Sequence, residues 1–160
     1  MVLTALAAVT TLAGTAALIA WLRRLFVVID VAGSSMKPTL YAGDRVLVRR
    51  RPLPYIRAGD IVVIENAEHG GTSRHPGAAA RGSRSLSGHF WIIKRAAALP
   101  GDPVPASMAA VVSAAAGTPV PDGRLLVLGD NTVGSSDSRD FGYLSGDGVL
   151  GVVVRRLPPR

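Results

Sequence analysis

The chain carries no charged side chain between residue 2 and Arg23, and this run limits what it can fold into more than any other feature. Residues 2–22 are 21 consecutive apolar or small polar residues. At ~1.5 Å per residue, a helix of that length spans about 30 Å, the thickness of a bilayer's hydrocarbon core. Trp21 and the Arg23-Arg24 pair would then lie at the membrane interface. We therefore predict that residues 1–24 form a transmembrane anchor.

A cleavable signal peptide is the alternative interpretation of this run. The segment has no basic n-region, and it is longer than a typical signal-peptide core, so a retained anchor is favoured. Its orientation is a separate question. The positive-inside rule places Arg23-Arg24, and with it the rest of the chain, in the cytoplasm.

The composition of the chain excludes several kinds of site and favours one kind of partner. At 160 residues the chain has room for one anchor and one small domain. The absence of cysteine excludes disulfides, thiolate metal sites and a cysteine nucleophile. His69, His75 and His89 lack the spacing of a helical metal site, so no metal or cofactor is predicted. The net charge of +7 comes with few aromatic residues, which fits membrane headgroups better than nucleic acid.

Residues 25–160 are predicted to form a mainly β domain, a small coiled sheet or partly open barrel. Short runs of Val, Ile and Leu alternate with Gly-Asp turns, which is typical of strands joined by tight connections. Residues 66–88 are rich in Gly, Ser, Arg and Ala and predict a flexible surface loop, and residues 108–116 predict a helical turn or two. The predicted strands are residues 25–32, 45–49, 61–65, 89–98, 124–128 and 149–156.

The first candidate for chemistry is the polar segment 33–40, which follows a predicted strand. A hydroxyl at such a strand-to-turn junction, as on Ser35, is exposed, and its own backbone N–H can face a substrate carbonyl. Pro38 ends any strand pairing there. A polar turn without a catalytic role is the alternative.

The second candidate is Lys94, in the otherwise apolar strand 89–98. Strand alternation places Lys94 on one face with Ile92 and Ala96, and Arg95 on the other. A lysine extended along the surface is the alternative. If Lys94 is buried, desolvation lowers its pKa by up to ~3–5 units from about 10.4. A neutral amine is a competent general base for a serine hydroxyl.

The third candidate is the pair of segments 129–131 (GDN) and 135–139 (SSDSR). Small polar side chains in these segments can hold a lysine amine by hydrogen bonds. Asp137 and Arg139 would share a face, and form an ion pair, if the segment were extended. The alternative is a glycine-rich hairpin loop with a solvated salt bridge.

In this order, the three segments resemble the motifs of the type I signal peptidases, the S26 family of Ser-Lys serine endopeptidases. Residues 35–40 (SMKPTL) resemble the nucleophile motif of that family. Lys94-Arg95 with residues 99–102 (LPGD) resembles its lysine motif, and residues 129–131 with 135–139 and Gly142 resemble its final motif. The resemblance covers most of residues 30–156.

The resemblance implies roles for individual residues. Ser35 is expected to be the nucleophile, Lys94 the general base and Ser135 the residue that orients the lysine amine. The Ser35 backbone N–H is expected to be one oxyanion donor, while Gly33 stands where some members supply a second donor from a serine. Structural support is expected from Asp130, Asp137 and Arg139, and a shallow substrate pocket from Met36, Leu40 and Ile93.

The implied function is a membrane-bound serine endopeptidase that cleaves signal or leader peptides from exported precursors after small residues (Ala-x-Ala). Its expected partners are those precursors and the lipid bilayer, with no nucleic acid. We expect a single-pass protein of the cell membrane whose catalytic domain is extracytoplasmic, despite the arginine pair, because exported precursors present their cleavage sites there. The short segment between Asp102 and Gly129 lacks room for the large second domain of some members.

Three other functions stay open at this stage. The first is a maturation protease dedicated to one precursor, which the sequence does not separate from a general one. The second is a self-cleaving repressor-type Ser-Lys protease, although such proteins carry a DNA-binding domain where this chain has its apolar run. The third is a membrane-tethered binding domain that has lost catalysis, which would not need to keep Ser35 and Lys94.

Overall fold

The computed structural model of the chain describes residues 2–65 and 91–158, with side chains described from Gly14 onward. The predicted loop 66–88 and the three histidines lie outside the described residues. The elements are helices α1 (Val2–Leu25), α2 (Ala106–Ala109) and α3 (Ser138–Phe141), and strands β1 (Phe26–Asp30), β2 (Arg45–Arg50), β3 (Ile61–Glu65), β4 (Trp91–Ala98), β5 (Arg124–Leu128), β6 (Leu144–Ser145) and β7 (Val149–Leu157).

The seven strands form one antiparallel sheet in the order β1-β2-β7-β3-β4-β5-β6, which curls into a half-barrel. Register shifts interrupt the β2–β7, β3–β7 and β4–β5 pairings, and such bulges increase the local twist and bend of a sheet. The predicted mainly β, coiled-sheet architecture is therefore confirmed. The six predicted strands are all present, with ends shifted by at most two residues, and the two-residue strand β6 was not predicted.

Apolar residues cover both faces of the sheet at its centre. Val62, Val63 and Ile64 of β3 are all fully buried. Val62 and Ile64 belong to one core cluster, with residues of β4, β5 and β7, whereas Val63 belongs to a second cluster, with residues of β1, β2 and the segment that follows β1. This double coverage keeps β4, and the lysine on it, in a dry environment.

Three of the Gly-Asp turns share one geometry. Gly43, Gly59 and Gly101 have φ between 86° and 92°, a conformation that residues with a side chain rarely adopt. In each turn the following aspartate accepts a hydrogen bond from the backbone N–H three residues earlier, at 2.8–2.9 Å. The other two pairs differ: Gly146 begins a 3-10 helix, and Gly129 is a site of close contact described below.

The segment between β4 and β5 packs against the sheet edge through its own core cluster. Its helix α2 starts two residues earlier than predicted and ends at Ala109. Pro105 precedes it with φ −63°, which is already the helical value. Met108 on α2 is fully buried in a third cluster with Ala98, Val104, Val120 and Leu126.

Helix α1 leads directly into β1. Its last turn contains Arg23 and Arg24. No helix in residues 2–65 and 91–158 combines the length and the hydropathy of a segment that crosses a membrane.

We expect Met108→Ala to lower the free energy of unfolding by about 2–5 kcal/mol, because it leaves a cavity in a fully buried position. Met108→Leu conserves volume and is expected to cost less than about 1.5 kcal/mol. Urea unfolding of both variants in detergent checks this. Equal effects of the two changes would mean that the segment does not pack as described.

Candidate active site

Lys94 is a buried lysine in the middle of the sheet. It lies on β4 opposite Val62 of β3, and only 4% of the residue is exposed. The predicted alternation is confirmed, since Ile92 and Ala96 pack in the cluster that contains Val62, and Ile93 packs in the opposite one. The Lys94 Nζ donates a hydrogen bond of 2.8 Å to Ser135 Oγ.

Burial sets the protonation of this lysine. Desolvation lowers the pKa of Lys94 from 10.5 to about 8, against the opposing pull of the Asp137 and Asp140 carboxylates. Arg139 lowers this pKa further by charge repulsion. A neutral amine is therefore accessible at mildly alkaline pH, as a general base requires.

A chain of hydrogen bonds continues from the lysine into the protein. Ser135 Oγ donates to Asp137 Oδ2 at 2.9 Å, and Asp137 is fully buried. Arg139 donates to both carboxylate oxygens, at 2.9 and 2.8 Å, and the Gly129 N–H donates at 2.9 Å. Burial alone would raise the pKa of Asp137, but the hydrogen bonds from Arg139, Gly129 and Ser135 outweigh it and the pKa is lowered. Asp137 thus remains an anion.

The Asp137–Arg139 ion pair has a different origin from the one predicted. Asp137 is the N-cap of α3, and Arg139 lies in the first turn of that helix, so the two do not alternate along a strand. Asp137 and Asp140 form a capping box, in which the side chain of each aspartate accepts a hydrogen bond from the backbone N–H of the other. The helix cap and the ion pair therefore use the same carboxylate.

Gly129 is the point where the first and third sequence segments meet. A Cβ on Gly129 would lie 2.0 Å from Ser135 Oγ and 2.6 Å from the carbonyl oxygen of Ser35. Real side chains do not tolerate contacts this short, so only glycine allows both segments to approach β5 at this position. The half-buried Ser35 is thereby placed beside the residue that holds the lysine amine.

Asn131 fixes the backbone on both sides of Ser35. Its backbone N–H donates to the Ser35 carbonyl at 3.0 Å, and its side-chain amide donates to the Ser34 carbonyl at 3.1 Å. In a trans peptide the C=O and N–H groups point in opposite directions. Holding the Ser34 carbonyl toward Asn131 therefore aims the Ser35 N–H away from it.

Asp130 connects the same two segments with β4. Its carboxylate accepts hydrogen bonds from Arg95, at 2.8 and 2.6 Å, and from the Thr39 hydroxyl. The pKa of Asp130 is lowered chiefly by the hydrogen bond from the Arg95 guanidinium and also by that from the Thr39 hydroxyl, although burial alone would raise it. Through these contacts Asp130 joins β4 to the segment that contains Thr39.

Sequence reasoning missed three residues of this arrangement: Arg95, Thr39 and Asn131. Each lies inside a segment predicted to carry chemistry, but no feature of the sequence identifies the partner of Thr39 or Asn131. Arg95 follows Lys94 and, on the opposite strand face, reaches Asp130. An arginine beside the candidate lysine, together with an aspartate that had no assigned partner, was the signal available.

Met36, Leu40 and Ile93 lie together in one apolar cluster and are 2%, 3% and 9% exposed. The three residues that the resemblance assigns to a substrate pocket are therefore brought together as almost fully buried side chains. Among residues 2–65 and 91–158, no group of His, Cys, Asp or Glu side chains is arranged to hold a metal ion.

We expect Lys94→Met to stabilise the protein at pH 7 by up to about 3 kcal/mol, the value of the pKa shift of Lys94. The folded-state pKa lies below the unfolded one, so below pH 8 the folded state carries the full cost of a buried charge. As pH rises from 8 to 10.5 that cost disappears and the two proteins should converge. Urea unfolding at pH 7 and 10 measures this, with Lys37→Met as the control at an exposed lysine. A difference that is the same at both pH values would contradict the assignment.

Comparison with protein families places the chain. Its sequence matches the family described as signal peptidase, peptidase S26, over residues 3–114 and 105–157, which together span most of its length. No curated protein matches the chain significantly. The matched range includes the nucleophile-like, lysine and final segments whose contacts are described above. The chain therefore belongs to the S26 family of signal peptidases.

Proposed function

We propose that this signal peptidase-like protein is a membrane-attached serine endopeptidase that removes signal or leader peptides after small residues, with Ser35 as nucleophile and Lys94 as general base. The observation that carries the proposal is the state of Lys94. Its amine is buried, hydrogen-bonded to Ser135 and shifted to a pKa of about 8. A lysine that served only as a surface charge would not be held in this environment.

The proposed reaction is acyl transfer followed by hydrolysis. Neutral Lys94 takes the hydroxyl proton of Ser35 as its oxygen attacks the carbonyl carbon of the scissile bond. The resulting ammonium gives that proton to the leaving amine when the C–N bond breaks. Water, deprotonated by the same amine, then attacks the acyl-enzyme carbonyl, and as the ester bond breaks the lysine ammonium returns the proton to the Ser35 oxygen and the carboxyl product leaves. In this scheme Ser135 keeps the lysine amine oriented through both steps.

The backbone around Ser35 supports an oxyanion site. With the Ser34 and Ser35 carbonyls held by Asn131, the Ser35 N–H has a fixed direction before substrate arrives. A preorganised donor of this kind stabilises the negative charge of the tetrahedral intermediate without reorganisation. Asn131 is therefore proposed as a positioning residue for that donor.

The substrate pocket is proposed to use Met36, Leu40 and Ile93. Because these side chains are almost covered, they offer a substrate only a small apolar surface. A surface of this size suits alanine and excludes larger side chains by contact. This is the basis for the proposed preference for small residues before the cleaved bond.

Membrane attachment is proposed through residues 1–24, with residues 25–160 as the catalytic domain facing the extracytoplasmic side. The support is the charge-free run 2–22 together with the exposed apolar side chains on α1. Those side chains are Leu18, Ile19, Trp21 and Leu22, which are 41–57% exposed.

We expect Ser35→Ala and Lys94→Ala to abolish cleavage of a secretory precursor in detergent micelles, because one loses the nucleophile and the other the base. Ser34→Ala is the matched control, since it removes a neighbouring exposed hydroxyl, and it should retain activity. Gel analysis and mass spectrometry of the products measure both the rate and the cleaved bond. Full activity of either dyad variant would reject the mechanism.

The pH dependence gives a separate test of the base. Lys94 is active only when neutral, so the rate should rise with pH through an apparent pKa near 8. The rate of the wild-type protein between pH 6 and 10 measures this. A rising limb at the pKa of a free lysine, near ~10.4, would mean that Lys94 is not the base.

We expect Asn131→Asp to lower kcat about 10- to 100-fold with little change in KM, as a partial loss of the ~10²–10³ that one oxyanion donor supplies. Aspartate keeps an oxygen to accept from the N–H groups of Val133 and Gly134 but cannot donate to Ser34. Steady-state kinetics and thermal unfolding separate the two roles of the residue. A loss of stability that matched the loss of activity, or a change in KM alone, would contradict positioning.

A further inference from the structure

A groove rich in arginine lies at the junction of α1 and the sheet, and the proposed reaction does not use it. Its volume is about 440 Å³. Leu25, the last residue of α1, lines it together with the end of β2 and the segment that follows. The lining residues are Leu25, Arg49, Arg50, Arg51, Pro52, Pro54, Tyr55, Ile56 and Arg57. We refer to it as the arginine groove.

The arginine groove is separate from the candidate active site. Arg49 is in register with Val152 of β7, Val152 with Val62 of β3, and Val62 with Lys94. Three steps between neighbouring strands correspond to about 14 Å along the sheet. The groove and the lysine are thus on one rigid element but do not share contacts.

Three arginines of the groove carry a positive charge that no described carboxylate neutralises. In residues 2–65 and 91–158, no carboxylate forms an ion pair with Arg49, Arg50 or Arg57, and all three are exposed. Elsewhere in the same part of the chain Arg45, Arg95, Arg139 and Arg156 each pair with an aspartate. The side chain of Arg51 donates a hydrogen bond to the Tyr55 carbonyl at 3.5 Å.

We propose that the arginine groove binds the phosphate of an anionic phospholipid headgroup. Guanidinium groups bind phosphate oxygens through two parallel hydrogen bonds, which makes arginine the preferred residue for this ligand. A groove of this volume is within the range of small-ligand sites and is large enough for a glycerophosphate group. The exposed Tyr55 supplies an aromatic surface beside it.

The position of the groove favours a lipid over other anions. It begins at Leu25, where α1 ends, and the preceding turns of α1 expose Leu18, Trp21 and Leu22. Apolar side chains that face lipid tails place the end of the helix at the level of the phosphates. This step rests on the membrane attachment proposed above. Arg23 and Arg24 in the last turn add to the same charge.

A peptide substrate is a poor occupant of the arginine groove. Signal peptides carry a basic amino-terminal region, which four arginines would repel. Nucleic acid is a separate class of ligand with the same charge, and the groove offers it a single aromatic ring for base stacking. It is therefore kept as an outcome of the test.

The test is a calorimetric titration of the full chain in nonionic detergent with short-chain phosphatidylglycerol, phosphatidylcholine of the same chain length, and inorganic phosphate. Phosphatidylglycerol should bind, and the other two should bind at least tenfold more weakly. Arg50→Gln with Arg57→Gln should weaken phosphatidylglycerol binding about 25-fold, since each arginine near an anionic lipid surface contributes about fivefold. Arg50→Lys with Arg57→Lys keeps the charge and should retain most of the binding.

Arg124→Gln with Arg155→Gln is the matched control, because it removes the same charge from exposed arginines outside the groove. Its effect should stay below about threefold, as expected from long-range charge that salt screens. Ser35→Ala should bind phosphatidylglycerol normally, and the Arg50→Gln/Arg57→Gln variant should still cleave a soluble peptide. These two results separate failure of the lipid site from failure of the proposed peptidase activity.

Four results would overturn the proposal. Equal binding of the two lipids would remove the role of headgroup charge. Inorganic phosphate that bound as tightly as phosphatidylglycerol would make the groove a free-phosphate site. An equal loss of binding in the groove and control variants would mean that binding depends on the net charge of the protein and not on the groove. A DNA oligonucleotide that displaced phosphatidylglycerol would assign the groove to nucleic acid.

Discussion

The candidate site depends on a hydroxyl that separates a buried amine from a buried carboxylate. If Lys94 contacted Asp137 directly, the ion pair would favour the protonated amine and raise its pKa. Ser135 lies between them, accepting from Lys94 and donating to Asp137. Arg139 pairs with the same carboxylate and so weakens its pull on the lysine. Desolvation then determines the pKa, which is the condition for a lysine base.

Much of the architecture could be predicted from the sequence, because it rests on local patterns. Short apolar runs between turn signals predicted the six longer strands to within two residues, and the Gly-Asp pairs at residues 43, 59 and 101 marked turns that need a positive φ. Strand β6 was not predicted, because a strand of two residues is too short to show a periodic pattern. Gly129 was grouped with the turns on its sequence, although it is required by contacts with Ser135 and Ser35. A glycine that relieves crowding and one that permits a turn look the same in one sequence.

The main residues of the candidate site could be predicted from the sequence, but most of the contacts between them could not. The apolar strand around Lys94 left both a buried and a surface lysine open, and the roles of Ser35 and Ser135 came from resemblance to a family. The partners of Asp130 and Asn131 could not be predicted, because a single sequence carries no information on which distant residues touch. The helix cap at Asp137 was overlooked for a related reason. The ion pair of Asp137 with Arg139 was predicted for an extended segment, and an extended segment has no helix cap.

The contacts around Ser35 join residues that are far apart in the sequence, and this separation determines when the candidate site can form. The Ser34 carbonyl is held by a residue 97 positions further along the chain, and Thr39 by one 91 positions further. At a synthesis rate of about 5–20 residues per second, roughly 5–20 s separate the emergence of the two halves from the ribosome. During that interval the segment around Ser35 lacks the partners that hold its backbone, and the entropic cost of closing the long loop between the two segments has still to be met. On a nascent chain the candidate site is therefore incomplete until residues 130 and 131 have been synthesised.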